Sequence, residues 1–271
     1  MPELKTGTHN LNYEIIDLTV PWAEPLETIL FHHGVGANWR CWLGWAAALQ
    51  DRYRLVAFDL PGHGQSQPGD DGITIEAMVQ DALALADALD CAKFHLVGGS
   101  VGGTVALQTA IEHPDRLLSL TVSNGSHVGG GIQNLDFWQD MIGCQDGEGE
   151  GMGAWSERMM EHRFFPGTLS EDMAAWYRAQ QASADPETVL ALLATLVGTD
   201  LSVQLPDMAV PTLLMHPDSS PFIDVPTMAN LHARLPNSQL RIFPHAKHGL
   251  PFSHAGECSQ TMRTFLDGLN G

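Results

Sequence analysis

Ser100 stands between glycines at the end of an apolar run, in Phe94-His95-Leu96-Val97-Gly98-Gly99-Ser100-Val101-Gly102-Gly103-Thr104, and the residues after it have helical spacing. A serine on a tight strand-to-helix turn takes a strained backbone conformation, and the residues two before and two after it must lack a Cβ. Gly98 and Gly102 meet that demand. The turn pushes the hydroxyl clear of the sheet edge, and the helix opening at Val101 aims its free N–H groups and positive dipole end at the same point. An oxyanion forms there when a serine attacks a carbonyl carbon, so the chemistry that suits these residues is acyl transfer. A free serine hydroxyl is not ionised at neutral pH and needs a neighbouring base. Three histidines, His245, His248 and His254, cluster after the β-rich run 240–243, where a sheet-borne base would be delivered.

The elements that must position these groups follow from periodicity. Residues 11–18, 28–33 and 54–59 have strand character, with a helix around 42–51. A helical pattern over 75–89, a β-rich run at 94–99, a helix over 101–113 and a strand at 117–123 come next. Buried apolar strands separated by amphipathic helices imply right-handed crossovers and a mostly parallel sheet covered on both faces. The alternation stops after Asn124. Between Gly129-Gly130-Gly131, the glycine-rich stretch 147–153 and Pro206 the chain is helix-like without a strand, which predicts an inserted helical cap. The expected division is a core of residues 1–128 and 207–271 and a cap of 129–206. Strand and helix alternate again after Val210, ending in a helix over 256–269.

This order of motifs resembles the α/β-hydrolase family over nearly the whole chain. Thr28-Ile29-Leu30-Phe31-His32-His33-Gly34-Val35-Gly36 is similar to its strand and His-Gly turn, and the segment from Tyr53 to Asp59-Leu60-Pro61-Gly62-His63-Gly64-Gln65-Ser66 to its next strand and loop. Pro211-Thr212-Leu213-Leu214-Met215-His216 resembles the strand before the acid loop, and Leu240 to His248-Gly249 the strand and loop that carry the histidine. The resemblance, closest to 3-oxoadipate enol-lactonase-like and carboxylesterase-like hydrolases, implies an α/β-hydrolase fold and a serine hydrolase cleaving an ester or lactone through an acyl-enzyme. It implies Ser100 as nucleophile, His248 as base, and the backbone N–H groups of Val35 and Val101 as oxyanion hole. Relatives that open epoxides or displace halide carry a carboxylate at the elbow, so a serine there points to acyl substrates. C–C bond hydrolases, thioesterases and acyltransferases share the scaffold.

The chain departs from the family at the third member of the triad. Counting back from Arg234-Leu235-Pro236, the usual carboxylate position falls on Ser220, which cannot supply negative charge. Asp218 is the nearest carboxylate and is taken as the acid, with Asp224 as the alternative; Asn124 ends the preceding strand without an acid. The departure also admits a ligand-binding protein that keeps the fold and has lost catalytic efficiency. Read as a dinucleotide loop, the elbow has Ser100 in place of the middle glycine and Asn124 where a ribose-binding acid is expected.

Arg163 and Trp138 are candidate substrate contacts, since guanidinium binds carboxylate bidentately; Arg40 fits a structural role better. With 13 basic against 32 acidic side chains, a net charge of -19 disfavours nucleic acid and anionic membranes as partners. A small-molecule substrate is the expected partner, with a homodimer left open. The four cysteines lack metal or redox spacing, and the thirteen histidines form no zinc motif, so no metal and no cofactor are expected. No apolar run reaches the roughly 18 residues of a membrane span. The N-terminus has no apolar signal core, and a cytoplasmic location is the default expectation.

Overall fold

Eight strands form one sheet in the order β1-β2-β4-β3-β5-β6-β7-β8 in the computed structural model, which describes residues 2–20, 22, 24–69, 72–129, 138, 142 and 151–269. They are β1 (Glu3–Lys5), β2 (Asn10–Ile16), β3 (Glu27–His32), β4 (Tyr53–Phe58), β5 (Phe94–Gly99), β6 (Leu117–Ser123), β7 (Thr212–Pro217) and β8 (Ser238–Phe243). β1 and β2 pair antiparallel, and every pairing from β4 to β8 is parallel. Both faces are covered, so β5 is buried at every residue and its sequence is a continuous apolar run rather than an alternation.

The period of two still divides the core. Leu30, Val56 and Leu96 pack on one face with α2 (Ile75–Ala88) and α3 (Val101–Glu112). Ile29, Phe31 and Val97 pack on the other with Trp45, Met262 and Phe265, the last two from the C-terminal helix Ala255–Leu269. The expected helix over 42–51 is a 3₁₀ segment, Trp39–Trp45, capped by the Asn38 side chain and continuing into the short α1 (Ala46–Leu49). β1 was not expected; Asp81 of α2 holds its neighbourhood by accepting from Thr6 Oγ1 and meeting His9 Nδ1, each at 2.5 Å.

Between β6 and β7 the described residues form three helices, α4 (Gly151–Arg163), α5 (Glu171–Ala182) and α6 (Pro186–Val197), an excursion from the sheet. Ser170 and Asp185 cap α5 and α6, and Pro186 sits in the first turn of α6, where its missing N–H costs nothing. Where the excursion leaves and returns, Val128 pairs with Asp200; Gly129 N donates to Thr199 O (2.8 Å) and Leu201 N to His127 O (2.8 Å). Gly130, Gly131, Met141, Cys144 and residues 147–150 lie outside the described residues. Beyond β7 come α7 (Val225–Arg234), α8 (Leu250–Ser253) and α9 (Ala255–Leu269).

Candidate active site

Ser100 lies between β5 and α3 with φ 55 and ψ -121, a left-handed conformation that side-chain-bearing residues rarely take. The glycine pattern is the steric condition for it. A Cβ on Gly98 would overlap the Gly102 carbonyl, and one on Gly102 would overlap the His32 carbonyl. The Ser100 N–H is held by Ser123 O at 2.9 Å. Its Oγ lies 3.0 Å from Nε2 of His248, in the loop between β8 and α8, so the structure brings the expected nucleophile and base together.

Desolvation holds the imidazole of His248 well below the ordinary histidine range, with Arg163 and His216 adding repulsion. It is neutral at pH 7, as a base must be. Asn124 Nδ2 donates to the His248 carbonyl at 2.5 Å, and Phe222 packs against the ring at 81° with centroids 4.8 Å apart.

Nδ1 of His248 meets Ser220 Oγ at 3.2 Å, and Asp218 is not at the histidine. The expectation for Asp218 is corrected by the path of the chain. Pro217 still pairs with Phe243, Asp218 N donates to Phe243 O (2.9 Å) and Ser219 N to Ala246 O (3.1 Å), so the loop stays in register with β8. Ser220 is the residue that turns toward His248. The Asp218 carboxylate accepts instead from His245 N (2.9 Å), Ala246 N (3.2 Å) and the Ser219 hydroxyl (2.9 Å). Although desolvation raises its pKa, the bonds from His245 and Ser219 hold the carboxyl below its usual value. Asp224 caps α7 by accepting from Thr227 N (2.8 Å) and Thr227 Oγ1 (2.6 Å).

The turn carrying Val35 lies against the nucleophile: a Cβ on Gly34 would come within 2.7 Å of Ser100 Cβ. Val101 heads α3, so its N–H has no intrahelical acceptor. Neutral histidines set the turn. His33 Nε2 accepts from Leu60 N (2.8 Å), and His63 Nε2 accepts from Gly36 N (2.9 Å); burial holds His63 at about 4 and His33 well below its usual range.

Arg163, at the end of α4, donates to Val35 O (2.6 Å) and to the Tyr177 hydroxyl (2.9 Å), so two of its nitrogens serve the scaffold. It is 7% exposed. It also lines a cavity of about 470 Å³ reaching Ser100 and His248, whose other walls include Trp138, Trp155, Met159 and Phe222. Arg40 is elsewhere, exposed and stacked over Trp39 at 4.8 Å. Of the other methionines and tryptophans between β6 and β7, Trp176 stacks on Phe252 and Met160 packs with Phe164 and Tyr177. The roles of Asn124 and Tyr177 escaped the sequence reading; only the failure of Asn124 as an acid had marked it.

The model of the family described as alpha/beta hydrolase fold matches residues 27–255. A Caulobacter sp. (strain K31) protein provisionally named as a carbamate hydrolase, RutD, is 27% identical over 91% of this chain and 92% of its own length. The 3-oxoadipate enol-lactonase 1 of Acinetobacter baylyi is 26% identical over 78% of each chain. A shorter match, 39% identical over 119 residues, spans 32% of the dihydrolipoyllysine-residue acetyltransferase component of the acetoin cleaving system of Cupriavidus necator, so the chain matches about a third of that protein. The enol-lactonase of Burkholderia xenovorans LB400 superposes with a TM-score of 0.89 at 21% identity, over 98% of this chain and 100% of its own.

Proposed function

The chain belongs to the α/β-hydrolase family, and on that premise we propose that it hydrolyses an ester or lactone of a small molecule through an acyl-enzyme on Ser100. The observation that carries this reading is the 3.0 Å contact between Ser100 Oγ and His248 Nε2 at a glycine-framed elbow. His248 takes the hydroxyl proton as Oγ attacks the carbonyl carbon, and the N–H groups of Val35 and Val101 receive the oxyanion. The intermediate collapses, the leaving group takes the proton from His248, and water then hydrolyses the acyl-serine with the same histidine as base. The helical excursion acts as a cap that shuts the substrate in the large cavity, with Arg163 and Trp138 in its wall. The 3-oxoadipate enol-lactonase relative supports a lactone among the candidate substrates.

Ser220 favours a second reading, a binder with residual catalysis, because a hydroxyl at Nδ1 gives the imidazolium no counter-charge. A fluorophosphonate probe separates the two. The hydrolase labels rapidly on Ser100 and turns over members of a p-nitrophenyl ester and lactone panel graded by chain length; Ser100→Ala takes no label and loses turnover by orders of magnitude. Labelling that survives in Ser100→Ala would sink the assignment, and slow labelling without turnover would select the binder.

A further inference from the structure

A second, smaller cavity of about 40 Å³ shares Val35, Ser100, Arg163 and His248 with the first and adds walls of its own, including Ala37, Cys41, Trp42, Asn124 and Phe252. Three side chains lining it are at least nine-tenths buried, and each leaves one polar atom with no hydrogen-bond partner among the described residues: Trp42 Nε1, Asn124 Oδ1 and Arg163 Nε. The orientation of the Asn124 amide is fixed by chemistry, because its Nδ2 must donate to the His248 carbonyl and Oδ1 is therefore an acceptor. The unpaired set is two donors and one acceptor.

Buried polar atoms are rarely left unpaired, and a single species that pairs all three has to accept from Trp42 and Arg163 and donate to Asn124. A carboxylate offers Asn124 Oδ1 nothing. A cation is repelled by the guanidinium, and an alkyl chain pairs with none of the three. Water does both jobs, and at roughly 10–15 Å³ of free volume for each molecule the space holds about three or four.

We propose that this cavity is a water site that supplies the nucleophile for deacylation of Ser100, an inference that rests on the acyl-enzyme reading above. While the acyl group occupies the large cavity, water stored in the small one remains in reach of the ester carbon and of His248. The water oxygen forms a bond to the acyl carbon and its proton passes to His248 Nε2. The tetrahedral intermediate then breaks the bond from carbon to Ser100 Oγ, His248 returns the proton to Oγ, and the carboxylic acid leaves.

The test uses the full chain and variants that fill the cavity without touching the catalytic groups, Ala37→Val and Cys41→Leu, each checked for a parent-like melting temperature. With p-nitrophenyl acetate, quenched samples are analysed by mass spectrometry for acetyl on Ser100 while p-nitrophenol release is followed. The variants are expected to keep the initial burst rate, lose at least ten-fold in steady-state turnover, and accumulate acetyl-Ser100. An acetyl level equal to the parent's, whether turnover falls or not, overturns the water site. Absence of acetyl from Ser100 in every chain, parent included, removes the acyl-enzyme reading and this proposal with it. Should neither variant fold, a high-resolution crystal structure of the parent chain decides: ordered water bonded to Asn124 Oδ1 and Arg163 Nε is expected, and a cavity closed by side chains overturns the proposal.

Discussion

Ser220 Oγ stands 3.2 Å from His248 Nδ1 and 3.4 Å from each of the N–H groups of Phe222 and Ile223. A hydroxyl has two lone pairs, so the two backbone donors compete with Nδ1–H for them. If the hydroxyl hydrogen turns to Nδ1 instead, the imidazole proton moves to Nε2 and the base is lost. A carboxylate accepts from all three. Ser220→Asp should therefore raise turnover, by up to about the 10⁴ that separates a working triad from one with the wrong tautomer. Steady-state kinetics on the best panel ester checks this, and an unchanged or lower turnover in a folded variant refutes it. Asp218→Asn, by contrast, should leave turnover within about two-fold, because its carboxylate serves only the turn at His245. The pH profile follows from the same site. With His248 held well below 6.5, the neutral base persists as pH falls, so the acid limb of kcat/KM should lie well below 6.5 in the parent and move up in Ser220→Asp. A limb at the ordinary histidine value would contradict the desolvation argument.

At the scale of elements, the excursion and the sheet are held differently. β5 is paired on both sides and buried throughout, whereas of the α5 residues only Tyr177 and Gln181 are buried. Amide hydrogen exchange should therefore be faster across α5 than in residues 94–97, measured at a pH where the protein is folded; equal protection would argue against a moving cap. This contrast also explains what could be read in advance. The elbow, the strands from β2 to β8 and α2 were legible because glycine spacing and apolar period are local. The 3₁₀ turn at Trp39–Trp45 was not, since its end is set by the tertiary packing of three tryptophans. The count to the acid position falls on Ser220, the residue at His248 Nδ1, whereas Asp218 was chosen as the nearest carboxylate in sequence. Two further backbone bonds to the segment around β8 keep the loop in register.

Across the whole molecule the histidines set the acid limit. His32, His63 and His216 are all held at about 4 by burial, while in the unfolded chain they titrate near 6.5. The unfolded state thus binds protons first as pH falls, and stability present above 6.5 is lost between there and about 4, on the order of 3 kcal/mol for each of them. Asp59, whose carboxyl burial raises, works in the opposite direction but is a single group. Since a domain is stable by only about 5–15 kcal/mol, urea midpoints should fall steeply from pH 6.5 to 4.5 at constant ionic strength. Flat midpoints across that window would mean the rings become solvated before unfolding.

The pairing of Val128 with Asp200 carries a consequence of its own. The two chain ends of the excursion meet across one ladder rung, about 5 Å apart, so the backbone leaves and re-enters the core at a single seam. Material can be added to or taken from that span without changing the distance the backbone must bridge, and long insertions at such a seam cost little closure entropy. What the seam leaves unprotected is the apolar surface that Trp155, Val189 and Leu192 cover on the core. A transplanted helical hairpin of matching length and apolar face would therefore cover that surface again while leaving Ser100 and His248, which lie outside the span, in place.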